Sequence, residues 1–420
     1  MINKSEKYSL MMDFYEVALA NGFISCGIDD TVAWFDLFFR PSQQIGGFCI
    51  MAGVQQMCET LSSLHFDDED IEFFRQQGVS EAFLSYIADF EFKCDIWAVP
   101  EGTPVFAGEP IVKVKGPVLQ ALMIETMLLL TINHQTLIAT KANRIVRAAQ
   151  GRGIVEFGSR RAHGNDAAVY GARSAYIGGC SATSNFVAAK EFGIPLYGGM
   201  SHTWIQLFDS ELDAFCAYAR EYPDNCILLV DTYDTINSGI PNAIEAFKRE
   251  LLPKGYRPKG IRIDSGDLAY LSKKIRKMLN EAGFPDCDIY ASNSLDEYII
   301  REMLGHGARV DGFLVGERLI TSADAPVFSG VYKLAAVEKN GESHKYSQRG
   351  SQVFQQLFFI AVSAVQNLGE VRDQQQRQRH LSDILQNRHG RLHPGRQVRI
   401  QFAADPEKKH SLGNDNAQPA

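Results

Sequence analysis

From residue 153 onward the chain repeats one unit: a short apolar run, a loop of small and charged residues, then a helix-length segment. The runs are Gly153–Phe157, Ile194–Tyr197, Cys226–Val230, Gly260–Ile263, Asp288–Ala291 and Gly312–Val315. They recur about every 24 to 40 residues, the spacing of βα units around a parallel sheet. Six such units predict a closed or partly closed βα barrel rather than an open sheet.

The preceding residues have a different rhythm. Thr31–Phe39 alternates like a strand and holds Trp34, Phe35, Phe38 and Phe39. Pro100-Glu101-Gly102-Thr103 and Gly108-Glu109-Pro110 are turn clusters between short extended runs. Asp13–Asn21 has a helical pattern, and the acids Asp67-Asp68-Glu69-Asp70 mark a helix start. This is an antiparallel sheet region with helices. A long apolar helix over Leu119–Ala149 follows, its basic end carried by Lys141, Arg144 and Arg147. The expected division is 1–130, 131–342 and 343–420.

The last boundary rests on composition. Residues 343–420 hold 11 Lys+Arg against 6 Asp+Glu, 13 of the chain's 23 glutamines and half of its ten histidines. The segment before them holds 31 Lys+Arg against 44 Asp+Glu. The run Gln374-Gln375-Gln376-Arg377-Gln378-Arg379-His380 builds no core, and only Val353–Val365 is apolar enough to pack as a helix. The expectation is an atypical, loosely ordered tail, and a break in mid-domain reads as a shifted frame or a fusion.

Several classes are excluded. The net charge of −8 argues against a nucleic-acid partner. No window approaches the roughly 18 apolar residues of a membrane span, and the longest stretch, Ala121–Ile132, carries Glu125. The N-terminus has no secretory pattern, so a cytoplasmic setting without a membrane partner is expected. The eight cysteines form no CxxC pair, which points to small buried thiols rather than zinc ligands.

The residues after each strand carry the chemistry. They are Gly158-Ser159-Arg160-Arg161, Gly198-Gly199-Met200-Ser201-His202, Asp231-Thr232-Tyr233-Asp234, Asp264-Ser265-Gly266-Asp267, Ser292-Asn293-Ser294 and Gly316-Glu317-Arg318. In a parallel barrel these ends share one rim, where active sites are built. Ordinary turn chemistry explains Gly, Ser and Asp in any one loop; six loops in register predict a site. Arg160 and Arg161 present planar forks suited to phosphate or to surface ion pairs. Gly178-Gly179 and Ser292-Asn293-Ser294 could offer backbone N–H groups to phosphate. Asp264 and Asp267 place two carboxylates on one turn, suited to phosphate-bound magnesium or to ribose hydroxyls. Asp267 also suits the N-cap of a helix over Leu268–Ala282. His202 follows two glycines and suits acid, base or nucleophilic work on a phosphoryl group. His163, just after the arginine pair, is a second histidine candidate.

The segments Met12-Asp13-Phe14-Tyr15, Phe35–Arg40, Pro100-Glu101-Gly102, Glu125-Thr126 and Phe157-Gly158-Ser159-Arg160-Arg161-Ala162 resemble the nicotinate phosphoribosyltransferase family in order and spacing. So do Tyr176-Ile177-Gly178-Gly179, Ser184-Asn185, Ser201-His202, Arg262-Ile263-Asp264-Ser265-Gly266-Asp267-Leu268 and Val315–Ser322. The resemblance spans roughly residues 8–339, about four fifths of the chain. It implies the irregular βα barrel of the type II phosphoribosyltransferases with an N-terminal α/β sandwich. The implied reaction joins nicotinate to phosphoribosyl pyrophosphate, giving nicotinate mononucleotide and pyrophosphate in NAD salvage. ATP as co-substrate drives it through a phosphorylated histidine, here His202, with Mg2+ on the diphosphate near Asp264 and Asp267.

By the same resemblance Tyr15 contacts the pyridine ring from the neighbouring subunit of a homodimer. By it Arg262 also lies in the nicotinate-binding run, and Asp264, Ser265, Gly266 and Asp267 handle ribose and diphosphate; the rim chemistry adds Arg160, Arg161, Ser292, Asn293 and Gly316 as expected substrate contacts. Two departures stand out. Gly198-Gly199 replaces the Gly-Thr of many members. In Val315-Gly316-Glu317-Arg318 an acid falls within a phosphate loop, so Glu317 is not expected to touch phosphate. Two alternatives are a nicotinamide-type phosphoribosyltransferase and an inactive nucleotide-binding protein with an aberrant C-terminus.

Overall fold

The computed structural model describes residues 8–41, 46–339, 342–345 and 398–400. Val32–Phe39 is a strand whose Ala33, Phe35, Leu37 and Phe39 face the core, while the alternate residues stay partly exposed. It pairs antiparallel with Val112–Pro117 on one side and Gly330–Lys339 on the other. Asp95–Ala98 adds to Val112–Pro117, and Glu342–Lys345 and Val398–Ile400 form the two edges of this six-stranded sheet.

The expected boundaries at 130 and 342 therefore need correction. The first falls inside the helix Glu125–Ala148, and the second separates strands that share one sheet. The composition break does not end the sheet, because backbone pairing constrains side-chain chemistry weakly at an edge strand. The expected Val353–Val365 helix and the Gln-rich run lie outside the described residues.

Local chemistry sets the helix ends. Asp67 stands just outside the helix Asp68–Gln76, where its carboxylate accepts the Asp70 N–H while Asp70 reaches back to the Asp67 N–H. The long apolar helix is broken at Ile124 into Val118–Met123 and Glu125–Ala148. At the break the Glu16 carboxylate, from the helix Phe14–Ser25, takes both the Thr126 N–H and the Thr126 hydroxyl. A side chain from a distant helix thus supplies the partner that the new helix start lacks.

The second sheet is wholly parallel. Its order is Ala182–Thr183, Gly153–Glu156, Gly312–Val315, Asp288–Ala291, Gly260–Ile263 and Ile227–Leu229. Five of the expected strands appear within a residue at each end. The expected strand Ile194–Tyr197 is reduced to one bridge, Leu196 to Thr183, and the two-residue strand Ala182–Thr183 takes the place beside Gly153–Glu156. The sheet curls. A cavity of only about 10 Å³ is lined by Tyr197 and Met200 from one edge, Leu229 from the other, and Arg262, Tyr290 and Leu314 between them. The Tyr290 ring fills this interior: a Cβ on either Gly260 or Gly312 would lie 2.8 Å from it. Helices such as Leu268–Glu281 and Glu297–Gly305 pack outside, giving a core of Ile, Leu, Val, Ala and Phe around the strands.

Candidate active site

The strand ends meet at one rim. Arg262, next to last in its strand, donates from Nε to Ser292 Oγ at 2.9 Å, and its terminal nitrogen lies 3.5 Å from Asp264 Oδ1. Ser292 Oγ in turn donates to Asp264 Oδ1. The guanidinium sits over the Phe157 ring at 5.4 Å, so a cation and an aromatic face are presented together. His202 opens the short helix His202–Gln206; its Nδ1 meets Thr232 Oγ1 at 3.0 Å and its Nε2 lies 3.9 Å from Asp264 Oδ2.

Asp231 lies behind this group. One of its oxygens accepts the Asp264 N–H at 2.9 Å and the Ser265 hydroxyl at 2.6 Å, which fixes the Asp264 turn. Its other oxygen is buried and lacks a hydrogen-bond partner among the described residues. Gly266 adopts φ +80°, a left-handed conformation that lets the turn reverse. Asp267, expected to serve the ligand, is exposed and accepts the Tyr270 N–H at 2.9 Å as the cap of the following helix.

The remaining loops continue around the rim. Asn293 and Ser294 both have positive φ, at 90° and 45°. Ser294 Oγ donates to Glu317 Oε1 at 2.7 Å, and Glu317 lies 3.9 Å from Arg161. Glu317 thus ties neighbouring loops together. Gly316 precedes the turn Glu317–Ile320, against which Gly158 packs so closely that a Cβ on Gly158 would meet the Gly316 carbonyl at 2.9 Å. Arg160 and Arg161 sit on the one-turn helix Ser159–Arg161, and both are exposed. Arg160 has no acidic partner among the described residues.

One expectation changes. Gly178-Gly179 is not a free phosphate loop: its N–H groups donate to Ser174 and Tyr176 at the end of the helix Asn165–Ile177. A Cβ on Gly178 would lie 2.4 Å from the Ala139 carbonyl, so this glycine serves helix packing. Glu101 lies in a turn as expected and is also buried and paired with Arg173, whose guanidinium reaches Gln55 and Gln135 as well. Tyr15 is exposed on the helix Phe14–Ser25, where burial of its hydroxyl and the nearby Glu125 carboxylate push its pKa up. His163 is exposed beside the arginine turn.

Asp231, Thr232 and Phe157 were visible at the strand ends but were not singled out for binding. Glu156 was missed altogether, because an acid inside an apolar strand gives no local cue. It is fully buried, and burial pushes its carboxyl pKa up against the hydrogen bonds it receives from Thr183 and Gly158. No helix among the described residues is long and apolar enough to cross a membrane.

Residues 10–133 match the family model described as the nicotinate phosphoribosyltransferase N-terminal domain. A nicotinate phosphoribosyltransferase of Bacillus subtilis is 45% identical over 342 residues, covering 81% of this chain and 69% of that protein. The chain belongs to the nicotinate phosphoribosyltransferase family. Nicotinate phosphoribosyltransferase pncB2 of Mycobacterium tuberculosis is 42% identical over 336 residues, 80% of this chain and 72% of its own. Among solved structures, human nicotinic acid phosphoribosyltransferase superposes with a TM-score of 0.70 at 27% identity, over 80% of this chain and 76% of the human one. The nicotinate-nucleotide pyrophosphorylase of Pyrococcus furiosus shares the fold, with a TM-score of 0.65 at 24% identity over 83% of this chain and 80% of its own. The two-sheet architecture described above is therefore shared with the human nicotinic acid phosphoribosyltransferase.

Proposed function

We propose that the rim joins nicotinate to the ribose of phosphoribosyl pyrophosphate in NAD salvage, releasing pyrophosphate. The observation that carries this reading is Arg262 lying over Phe157 and beside Asp264. The guanidinium suits the ring carboxylate, and the aromatic face suits the pyridine ring. The ring nitrogen attacks ribose C1, a C–N bond forms, and the C1–O bond breaks with its electron pair leaving on pyrophosphate. The pyridine nitrogen is already nucleophilic, so positioning matters more than a base. In this reading the Asp264 carboxylate offsets positive charge developing on the sugar. Arg160 and Arg161 offer cations to the phosphates.

ATP is proposed to act through His202, which takes a phosphoryl group with loss of ADP and later yields it to water. The phosphoryl group would add charge and acceptor oxygens beside Asp264 and Thr232 and so alter the substrate loops. For Mg2+, Asp264 fits, and the unpartnered buried oxygen of Asp231 supplies a second acceptor. Asp267 has one oxygen committed to its helix cap. When bound, Mg2+ neutralises charge on the leaving group. Exposed Phe14, Tyr15 and Leu19 on the first helix support a homodimer in which Tyr15 reaches the partner's rim.

The test is mononucleotide formation by the purified chain with nicotinate or nicotinamide, with and without ATP. ATP-stimulated product from nicotinate supports the reading. A preference for nicotinamide overturns the carboxylate role of Arg262, and binding without turnover favours an inactive nucleotide-binding protein.

A further inference from the structure

The arginine turn is held from below by a closed circuit of hydrogen bonds. Glu156 accepts the Gly158 N–H and the Thr183 hydroxyl, the latter at 2.6 Å. Thr183 Oγ1 accepts the Asn185 N–H at 3.0 Å. Asn185 Nδ2 donates to Ser159 Oγ at 2.9 Å. Ser159 follows Gly158, which closes the ring. The Asn185 side-chain oxygen Oδ1 also caps the helix Phe186–Phe192 by accepting the Ala188 N–H at 2.9 Å. Glu156 and Thr183 are fully buried, while Arg160 and Arg161 at the top of the circuit are exposed.

We propose that Glu156 and Thr183 are positioning residues that hold the Gly158–Arg161 turn so that its arginines meet the phosphates of phosphoribosyl pyrophosphate. This rests on the function proposed above. A buried carboxylate is costly, and one that accepts hydrogen bonds from two different loops converts that cost into a fixed relation between them. Thr183 is the joint, because its single hydroxyl oxygen donates to Glu156 and accepts from Asn185. Removing that oxygen opens the circuit at two bonds without changing side-chain shape. The arginine turn would then be free to shift, and a shift of about 1 Å at a phosphate-binding group is enough to weaken its contact substantially.

The experiment uses the full chain and compares Thr183→Val, Thr183→Ser, Ser159→Ala and Arg160→Ala. Each is followed by KM for both substrates, kcat and thermal unfolding. Thr183→Val is expected to raise KM for phosphoribosyl pyrophosphate about tenfold while leaving KM for nicotinate within about twofold. Thr183→Ser keeps the hydroxyl and is expected to restore the parent value. Ser159→Ala opens the circuit at its outer bond and decides the matter if Thr183→Val does not fold. Arg160→Ala separates the two readings. If it leaves KM for phosphoribosyl pyrophosphate unchanged, the phosphate role of the turn is wrong. If it raises that KM while the folded circuit variants do not, the circuit is structural only and the proposal is overturned.

Discussion

The two nitrogens of His202 face different groups: Nδ1 meets Thr232 Oγ1 at 3.0 Å, and Nε2 faces Asp264 Oδ2 at 3.9 Å. The hydroxyl orients the ring so that Nε2 is turned toward the Asp264 carboxylate. His202→Ala is expected to abolish ATP stimulation, bringing the ratio of turnover with and without ATP to about one. Thr232→Val should lower the stimulation several-fold, roughly the effect of one neutral hydrogen bond at about 1 kcal/mol. Turnover with and without ATP in parallel checks both, and full stimulation in His202→Ala would end the phosphohistidine assignment.

Arg262 makes a directional bond to Ser292 and stacks on Phe157, which a lysine cannot reproduce. Arg262→Lys is expected to reduce kcat/KM for nicotinate by about a hundredfold, corresponding to about 2.7 kcal/mol. KM for phosphoribosyl pyrophosphate should change less. Equal losses on both substrates would assign Arg262 to ribose or diphosphate instead.

Tyr290 occupies the barrel interior at the expense of side chains on both neighbouring strands. Gly312→Ala would set a Cβ 2.8 Å from its ring, and Gly260→Ala would do the same while also meeting the Asp288 carbonyl at 2.9 Å. Each is expected to cost about 1–3 kcal/mol by overpacking. Denaturant midpoints check this, and a double variant with Tyr290→Phe, whose ring keeps the clash, should show no rescue.

Glu16 is fully buried, and burial raises its carboxyl pKa from 4.5 to about 7 against the opposing bonds from Thr126. The folded state therefore keeps a proton that the unfolded chain releases between pH 4.5 and about 7. Stability carried by this group falls as pH rises through that window and levels off above it. Asp13, Tyr15 and Glu125 face the same region, so the test is a difference. The stability of Glu16→Gln relative to the parent should rise from about pH 5 to about pH 8 in urea unfolding. A constant difference would mean that Glu16 does not titrate there.

Arg173 and Glu101 form a buried pair that joins the first domain to the barrel's Asn165–Ile177 helix. Removing one partner leaves a buried charge unpaired. Glu101→Ala is expected to destabilise by about 3–5 kcal/mol. The double variant with Arg173→Met should recover part of that loss in the same unfolding measurement.

Much of the barrel was legible because its strands announce themselves locally. Gly260–Ile263, Asp288–Ala291 and Gly312–Val315 are apolar runs bounded by polar turns, and their following loops place Asp264, Ser292 and Gly316 at one end of one sheet. The order of motifs was enough to suggest the family, and the rim arginines Arg160 and Arg161 and the Asp264 turn could be named from residue type and position. Tertiary structure decided the rest. That the turn residue Glu101 is also a buried ion-pair partner depended on Arg173, far along the chain. Whether Gly178 faced phosphate or helix depended on Ala139. The capping of Thr126 by Glu16, the Asp231 bonds under the Asp264 turn and the Glu156 circuit all join residues from separate elements. Periodicity and turn chemistry report a residue's own neighbourhood, whereas the partner of a buried polar group is chosen only when the chain closes and water is excluded around it.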